Sequence, residues 1–382
     1  MREMLTSAWS HVQGFLFPML REVVGPLTPQ HERLVTVLDV ARIEAFVQMW
    51  PGLPGRPPVD RHALARSFVA KAVFNLPTTL ALIERLAADA VLRRLCGWES
   101  RRGLPSGSTF SRAFAEFAES SLPARVHEAL IVNTHKDRLV GHVSRDATAI
   151  EGREKPVKCS NSAPPKAPEA PAAPRKRGRP KKGEAAAKKE PRRLERQTGM
   201  TLAEMLADLP TACTIGAKRN AKGHTTCWIG YKLHIDTADG DIPISCLLTS
   251  ASLHDSQAAI PLATITASRV TNLYDLMDSA YDAPELWDKS RALGHVPIID
   301  ANPRRGGKAE AAAEAQARQT AGYELAENIR YNERSAAERV NSSVKDNYGG
   351  RTIRVRGHAK VFCHLMFGIL ALTAEQLMRL VA

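Results

Sequence analysis

The chain has 382 residues, 44% of them hydrophobic and 24% charged, enough apolar side chains for two or three domains around a large core and too many for a wholly disordered chain. No run reaches the roughly 18 consecutive apolar residues of a membrane span. The N-terminal MREMLTSAWSHVQGFLFPML carries charges and a histidine in its apolar part, which a signal peptide would lack, so an intracellular, cytoplasmic location is expected. The net charge of +13 is concentrated, because Arg153 to Arg196 holds 15 Lys/Arg against 5 Asp/Glu and the remainder of the chain shares only +3. Such a block points to a polyanion, with nucleic acid as the natural partner. The six cysteines never form a C-x-x-C pair, which argues against a zinc site or a disulfide framework and for buried, idle thiols.

Residues 1–140 read as helical. Leu34 to Met49 fits an amphipathic helix opened by Thr28-Pro29, and after the turn Gly55-Arg56-Pro57-Pro58 helical patterning runs through Leu64 to Phe74, Thr78 to Leu95 and Phe110 to Phe117. Pro77 and Gly103-Leu104-Pro105-Ser106-Gly107 punctuate it. The short helices suit either a helix-turn-helix DNA-binding module or a plain bundle for packing or dimerisation.

Leu139 to Arg145 predicts a first strand, and the segment that carries it into the second domain is drawn at 141–152. From 153 to 211 the chain is rich in Pro, Ala, Lys and Arg; with so few large apolar residues it is expected to be a disordered basic insert. From 212 to 382 strand patterns return. Trp228 to Asp236 and Ile242 to Thr249 flank the hairpin signal Ala238-Asp239-Gly240-Asp241. A helix (Asp255 to Val270), a strand (Leu273 to Met277), a helix (Pro284 to Leu293), a strand (Val296 to Ile299) and two closing helices (Tyr331 to Asp346, Val361 to Val381) follow. Three strands, then helices alternating with two more, predict a mixed five-stranded α/β sheet.

Asp146 and Asp278 each directly follow a predicted strand, where ligand sites of open α/β sheets collect. Glu338 falls in a predicted helix, with Tyr331, Arg334, Glu338 and Lys345 at offsets 0, 3, 7 and 14. At about 3.6 residues per turn these share one stripe roughly 60° wide, leaving Ala336, Ala337, Val340 and Val344 to pack on the sheet. The pattern alone is equally that of an amphipathic helix with an ordinary Arg334–Glu338 ion pair.

Tyr331-x2-Arg334-x3-Glu338-x6-Lys345 resembles the Y-R-E-K signature of bacterial DDE transposases of the insertion-sequence four/five superfamily. Asp146-Ala147-Thr148 resembles their first-acid motif, Asp278-Ser279-Ala280-Tyr281 their second, and GRPPVDRHALARSFVAKAVFNL through LPSGSTFSRAF their N-terminal helical domain. The resemblance covers about residues 55–150 and 225–382. It implies a ribonuclease H-like catalytic core, with Asp146 on the first strand, Asp278 after the fourth and Glu338 on a later helix, behind an all-α N-terminal domain. It further implies two Mg2+ (or Mn2+) ions held by the three acids, and cutting and joining of double-stranded DNA at transposon ends and target. Arg334 and Lys345 would contact end phosphates, and Tyr331 a distorted terminal nucleotide. A homodimer acting in the nucleoid, with no membrane and no small-molecule substrate, completes the expectation. The stretch of 60 residues from Asp278 to Glu338 is too short for the large β-insertion that some relatives place there.

Within the basic insert, Arg177-Gly178-Arg179-Pro180, flanked by further cations, resembles an AT-hook, in which glycine lets the backbone lie deep in a narrow minor groove while arginines spread along its floor. The alternative is a nonspecific polycation. His254-Asp255 reads as a helix N-cap or an aid near the metals, and Arg351, Arg354 and Arg356 as contacts to the DNA backbone or a solvated basic loop. A catalytically silent, domesticated DNA-binding protein and a nuclease that cuts without joining are the rival functions.

Overall fold

In a computed structural model of the chain, which describes residues 2–48, 58–136, 138–157, 191–219, 223–302 and 307–380, helices fill the first third. They are α1 (Arg2–His11), α2 (Phe17–Val24), α3 (Pro29–Ala41), α4 (Arg61–Val73), α5 (Thr79–Ala88), α6 (Ala90–Leu95), α7 (Gly107–Glu119) and α8 (Leu122–His135). Thr28 opens α3 as the sequence suggests: its Oγ1 accepts from the His31 amide while His31 Nδ1 accepts from the Thr28 amide. Asp60, Thr78 and Asp89 cap α4, α5 and α6, and Asp89 divides the helical stretch expected over Thr78 to Leu95 into two helices.

The sheet follows, with β1 (Leu139–Glu151), α9 (Arg193–Gln197), α10 (Leu202–Asp208), β2 (Thr214–Arg219), β3 (Thr225–Ala238), β4 (Ile242–Ser250), α11 (Ala259–Arg269), β5 (Thr271–Met277), α12 (Pro284–Ala292) and β6 (Val296–Ile299). The chain closes with α13 (Gly307–Thr320), α14 (Ala326–Tyr331), α15 (Ser335–Asn347) and α16 (His358–Arg379). β3 lies antiparallel between β4 and β1, and β1, β5 and β6 run parallel. The spatial order β4-β3-β1-β5-β6 is that of a ribonuclease H-like mixed sheet.

Several expectations need correction. The sheet has a sixth strand, β2, which pairs with Thr225–Gly230 of β3; its sequence, TIGAKR, offers a single large apolar residue, Ile215, and that is exposed. Gly230 marks the change of partner along β3, where any side chain would collide with the Ile150 carbonyl. The insert does not extend to 211: Leu194 and Met205 anchor α9 and α10 in a small core with Ile260, Tyr281 and Leu286, apolar contacts that a disordered segment lacks. β1 does not stop at Arg145 but continues to Glu151, because Asp146 to Ile150 keep their antiparallel partners on β3. The helix expected from Tyr331 is interrupted by a 3-10 turn at Asn332–Arg334.

The N-terminal helices are not a separate body. One continuous apolar core runs from Leu34, Leu64 and Phe110 through Phe367 and Leu370 to Val143 and Leu233 of the sheet. α16 lies at its centre, packed by α3, α4, α7, α8 and β4, with Phe367 against the rings of Phe68 and Phe114. By length and apolarity α16 would pass as a membrane span, but 78% of its most apolar window is buried inside the protein, as a core helix requires.

Candidate active site

Register builds the site. β1 and β5 run parallel with Arg145 opposite Met277, and the next residue on each strand is an acid, Asp146 and Asp278. Beyond this level the strands part. β1 continues along β3 with Asp146 opposite Ile235, whereas Asp278 turns to cap the short turn Ser279–Tyr281, accepting from the Ala280 amide at 2.9 Å. The diverging ends of two parallel strands leave a crevice at their C-terminal edge.

Electrostatics mark this crevice. Burial pushes the Asp146 carboxyl above the usual carboxylate range, and the charge of Asp278 pushes it further, while Lys218 and Arg334 pull it down. Burial likewise raises Asp278, with Asp255 adding to the rise and Arg334 and Lys218 opposing it. Two desolvated like charges side by side disfavour ionisation. The Tyr281 hydroxyl, fully buried and within the field of Asp255, Asp146 and Asp278, has no hydrogen-bond partner among the described residues. Below the acids, Arg145 makes a buried bidentate pair with Asp236 at 2.8 and 2.7 Å, and Thr266 Oγ1 donates to the same carboxylate at 2.5 Å.

α15 packs on β1 and β3 beside the crevice, and the 3-10 turn before it touches β1 and β5. Ala336, Ala337, Val340 and Val344 are buried against the sheet as the helical pattern predicts. Asn341, on the same face, donates from Nδ2 to Asp146 Oδ2 at 2.9 Å. Arg334 bonds Glu338 at 2.5 Å, and its guanidinium carbon lies 5.6 Å from the centre of the Tyr331 ring. Tyr331 is half-buried; burial raises its hydroxyl, with Arg334 opposing and Asp300 and Asp278 adding. Burial lowers the Lys345 ammonium, helped by Arg351 and Lys218 and opposed by Asp146.

The structure thus brings Arg334 within electrostatic reach of Asp146, Asp278 and Tyr331, and Lys345 within reach of Asp146. It does not gather Glu338 with the two aspartates. That side chain is 59% exposed and held by Arg334, and among the described residues no three His, Cys, Asp or Glu side chains form a ready metal-binding group. Glu338 precedes Asn341 by three residues, so the helix that carries it is tied to the strand carrying Asp146. The Asp146–Asp278 pair fits a hard divalent cation, since a dication would offset the repulsion between two desolvated carboxylates.

Sequence reasoning missed Asn341, Lys218 and the part of Asp255. The pair His254-Asp255 was visible, but His254 makes no backbone cap and bonds Ser256 Oγ at 2.8 Å, while Asp255 bonds Lys232 Nζ at 2.7 Å and acts on Asp278. Its signal was an acid at the head of the helical segment that follows a strand. Lys218 sits on β2, which carried none. Arg351 is paired with Asp346. Arg177, Gly178, Arg179 and Pro180 lie outside the described residues, as does Cys159; Cys96, Cys213, Cys246 and Cys363 are buried free thiols and Cys227 is exposed.

Two family models match the chain: residues 26–116 match a Transposase domain (DUF772) and residues 205–374 a Transposase DDE domain. Asp278 and Glu338 lie inside the second match, and Asp146 falls between the two. No curated protein matches the chain, and no solved structure does. The two matches cover more than half of the chain, in the order helical domain then DDE domain, on a ribonuclease H-like sheet: the chain belongs to the DDE transposases.

Proposed function

We propose that this transposase cuts and joins DNA at the ends of a mobile element, in a cut-and-paste reaction on terminal inverted repeats, with Asp146, Asp278 and Glu338 as its catalytic carboxylates. The observation that carries the reading is the parallel register that sets Asp146 beside Asp278 at the strand ends, both with ionisation opposed by burial. Mg2+ or Mn2+ held there would supply the positive charge that favours an ionised attacking oxygen and a leaving oxygen in phosphoryl transfer.

The protein's own groups do the rest. Asn341 orients the Asp146 carboxylate. Arg334 and Lys345 supply cations for the phosphates of the DNA end, and an incoming phosphate competes with Glu338 for Arg334, freeing the glutamate to join the aspartates. Tyr331 offers a ring face to the terminal nucleotide. The helices within 1–140 serve DNA binding and dimerisation, since two ends must be paired, and the segment 153–190, with Arg177, Gly178, Arg179 and Pro180, adds minor-groove affinity in A·T-rich DNA.

The test is incubation of the purified protein with DNA bearing its own element's ends, a plasmid target and Mg2+. Joined products are expected, and Asp146→Asn is expected to abolish both cutting and joining. Cut ends without joined products would leave a nuclease, and full activity of Asp146→Asn would remove the assignment.

A further inference from the structure

Some distance from the acids, α4, α16 and the segment after α15 enclose a cavity of about 300 Å3. Its cations come from three places in the chain: Lys71 from α4, Arg354 and Arg356 from the segment 348–356, and Lys360 from α16. Among the described residues no Asp or Glu lines it, and none of these four side chains makes an ion pair or hydrogen bond. Lys71 is only 9% exposed. A desolvated ammonium without a counter-charge is costly, and proteins ordinarily pair such a group. His364, also on the wall, is no counter-charge: burial and the nearby Lys71 hold it neutral, with its pKa pushed down to about 4, and its Nε2 is occupied with the Gly349 carbonyl at 3.0 Å.

We propose that this cavity is a phosphate-binding site, in which Lys71 meets the anion at the bottom and Arg354, Arg356 and Lys360 close around it. Charge-assisted bonds from Arg and Lys are the strong ones for phosphate, and arginine adds a planar fork. The size is near the lower end of small-ligand pockets, large enough for a pyrophosphate or one nucleotide. The position suits a DNA enzyme: the lining segment begins where α15, the helix that carries Glu338, ends, roughly 14 Å along it from that residue. The phosphate can therefore come from the DNA backbone or from a free phosphorylated molecule. The inference does not rest on the acidic site, and Asp146→Asn is expected to leave it intact.

The test is calorimetric titration of the full-length protein with inorganic pyrophosphate at low salt without divalent ions. Saturable binding is expected, weakened at least tenfold in Lys71→Met and in the rim variant Arg356→Ala/Lys360→Ala, and unchanged in Arg291→Ala, whose side chain lies outside the cavity. Lys71→Met is also expected to melt higher than wild type without ligand, because the buried charge is gone; if it fails to fold, the rim variant decides alone. Absence of saturable binding, or wild-type affinity in the rim variant, would overturn the proposal. A short duplex that displaces pyrophosphate identifies the DNA backbone as the source; a duplex that binds alongside it identifies a free phosphorylated ligand.

Discussion

Asn341 holds Asp146. Its Nδ2 donates to the Asp146 Oδ2 at 2.9 Å, and it sits on the buried face of α15, one turn beyond Glu338, so one hydrogen bond joins the helix bearing one acid to the strand bearing another. Asn341→Ala is expected to lower end cleavage about tenfold or more, as losing the group that orients a metal-bound ligand does, for about 1 kcal/mol of stability. Cleavage rate and urea melting on the same preparation check this. A variant that melts normally and cuts at the wild-type rate would show that the bond has no part in the reaction.

Arg334 separates function from stability. Its pair with the exposed Glu338 is screened by water, and such pairs contribute about 1 kcal/mol at most. Arg334→Gln is therefore expected to leave the melting midpoint almost unchanged while end binding weakens and its salt dependence becomes shallower by about one phosphate contact. An unchanged salt slope would place Arg334 off the DNA.

The opposite behaviour is expected below the site. Arg145 and Asp236 are both buried, and Asp236→Asn leaves a charged guanidinium without its partner, a loss of about 3–5 kcal/mol. Chemical denaturation should show it directly, and near wild-type stability would mean that solvent reaches the pair.

Lys71 predicts a pH dependence of stability. Burial lowers its pKa from 10.5 to about 8, so the unfolded chain binds its proton more readily than the folded one across that window. The stabilising contribution is present above pH 10.5 and is lost as pH falls towards 8. Relative to Lys71→Met, the wild type should gain on the order of 3 kcal/mol between pH 8 and 10.5. Parallel curves for the two proteins would show that Lys71 is already paired.

How much of this was legible in the sequence depended on how local the signal was. β5 and Asp278 were readable because Leu273, Tyr274, Leu276 and Met277 lead up to an acid followed by small residues, and the buried face of α15 because its small and branched residues recur at helical spacing. The far half of β1 was hidden: Asp146-Ala147-Thr148-Ala149 has weak strand preference, and its pairing comes from β3, about 85 residues away. α13 was missed for a related reason, since its alanine-rich sequence forms a helix by propensity with no apolar stripe to reveal it. The union of helical bundle and sheet through α16 is a fact of packing, which no local pattern of residues 358–379 discloses.

Catalysis as proposed requires Asp146, Asp278 and Glu338 to share divalent ions. Titration with Mn2+, followed by its paramagnetic resonance, on the wild-type protein and on Asp146→Asn, Asp278→Asn and Glu338→Gln, with duplex DNA present to compete for Arg334, tests this directly. The wild type is expected to bind the ion and each variant to bind at least about tenfold more weakly. Wild-type affinity in both aspartate variants would contradict the account.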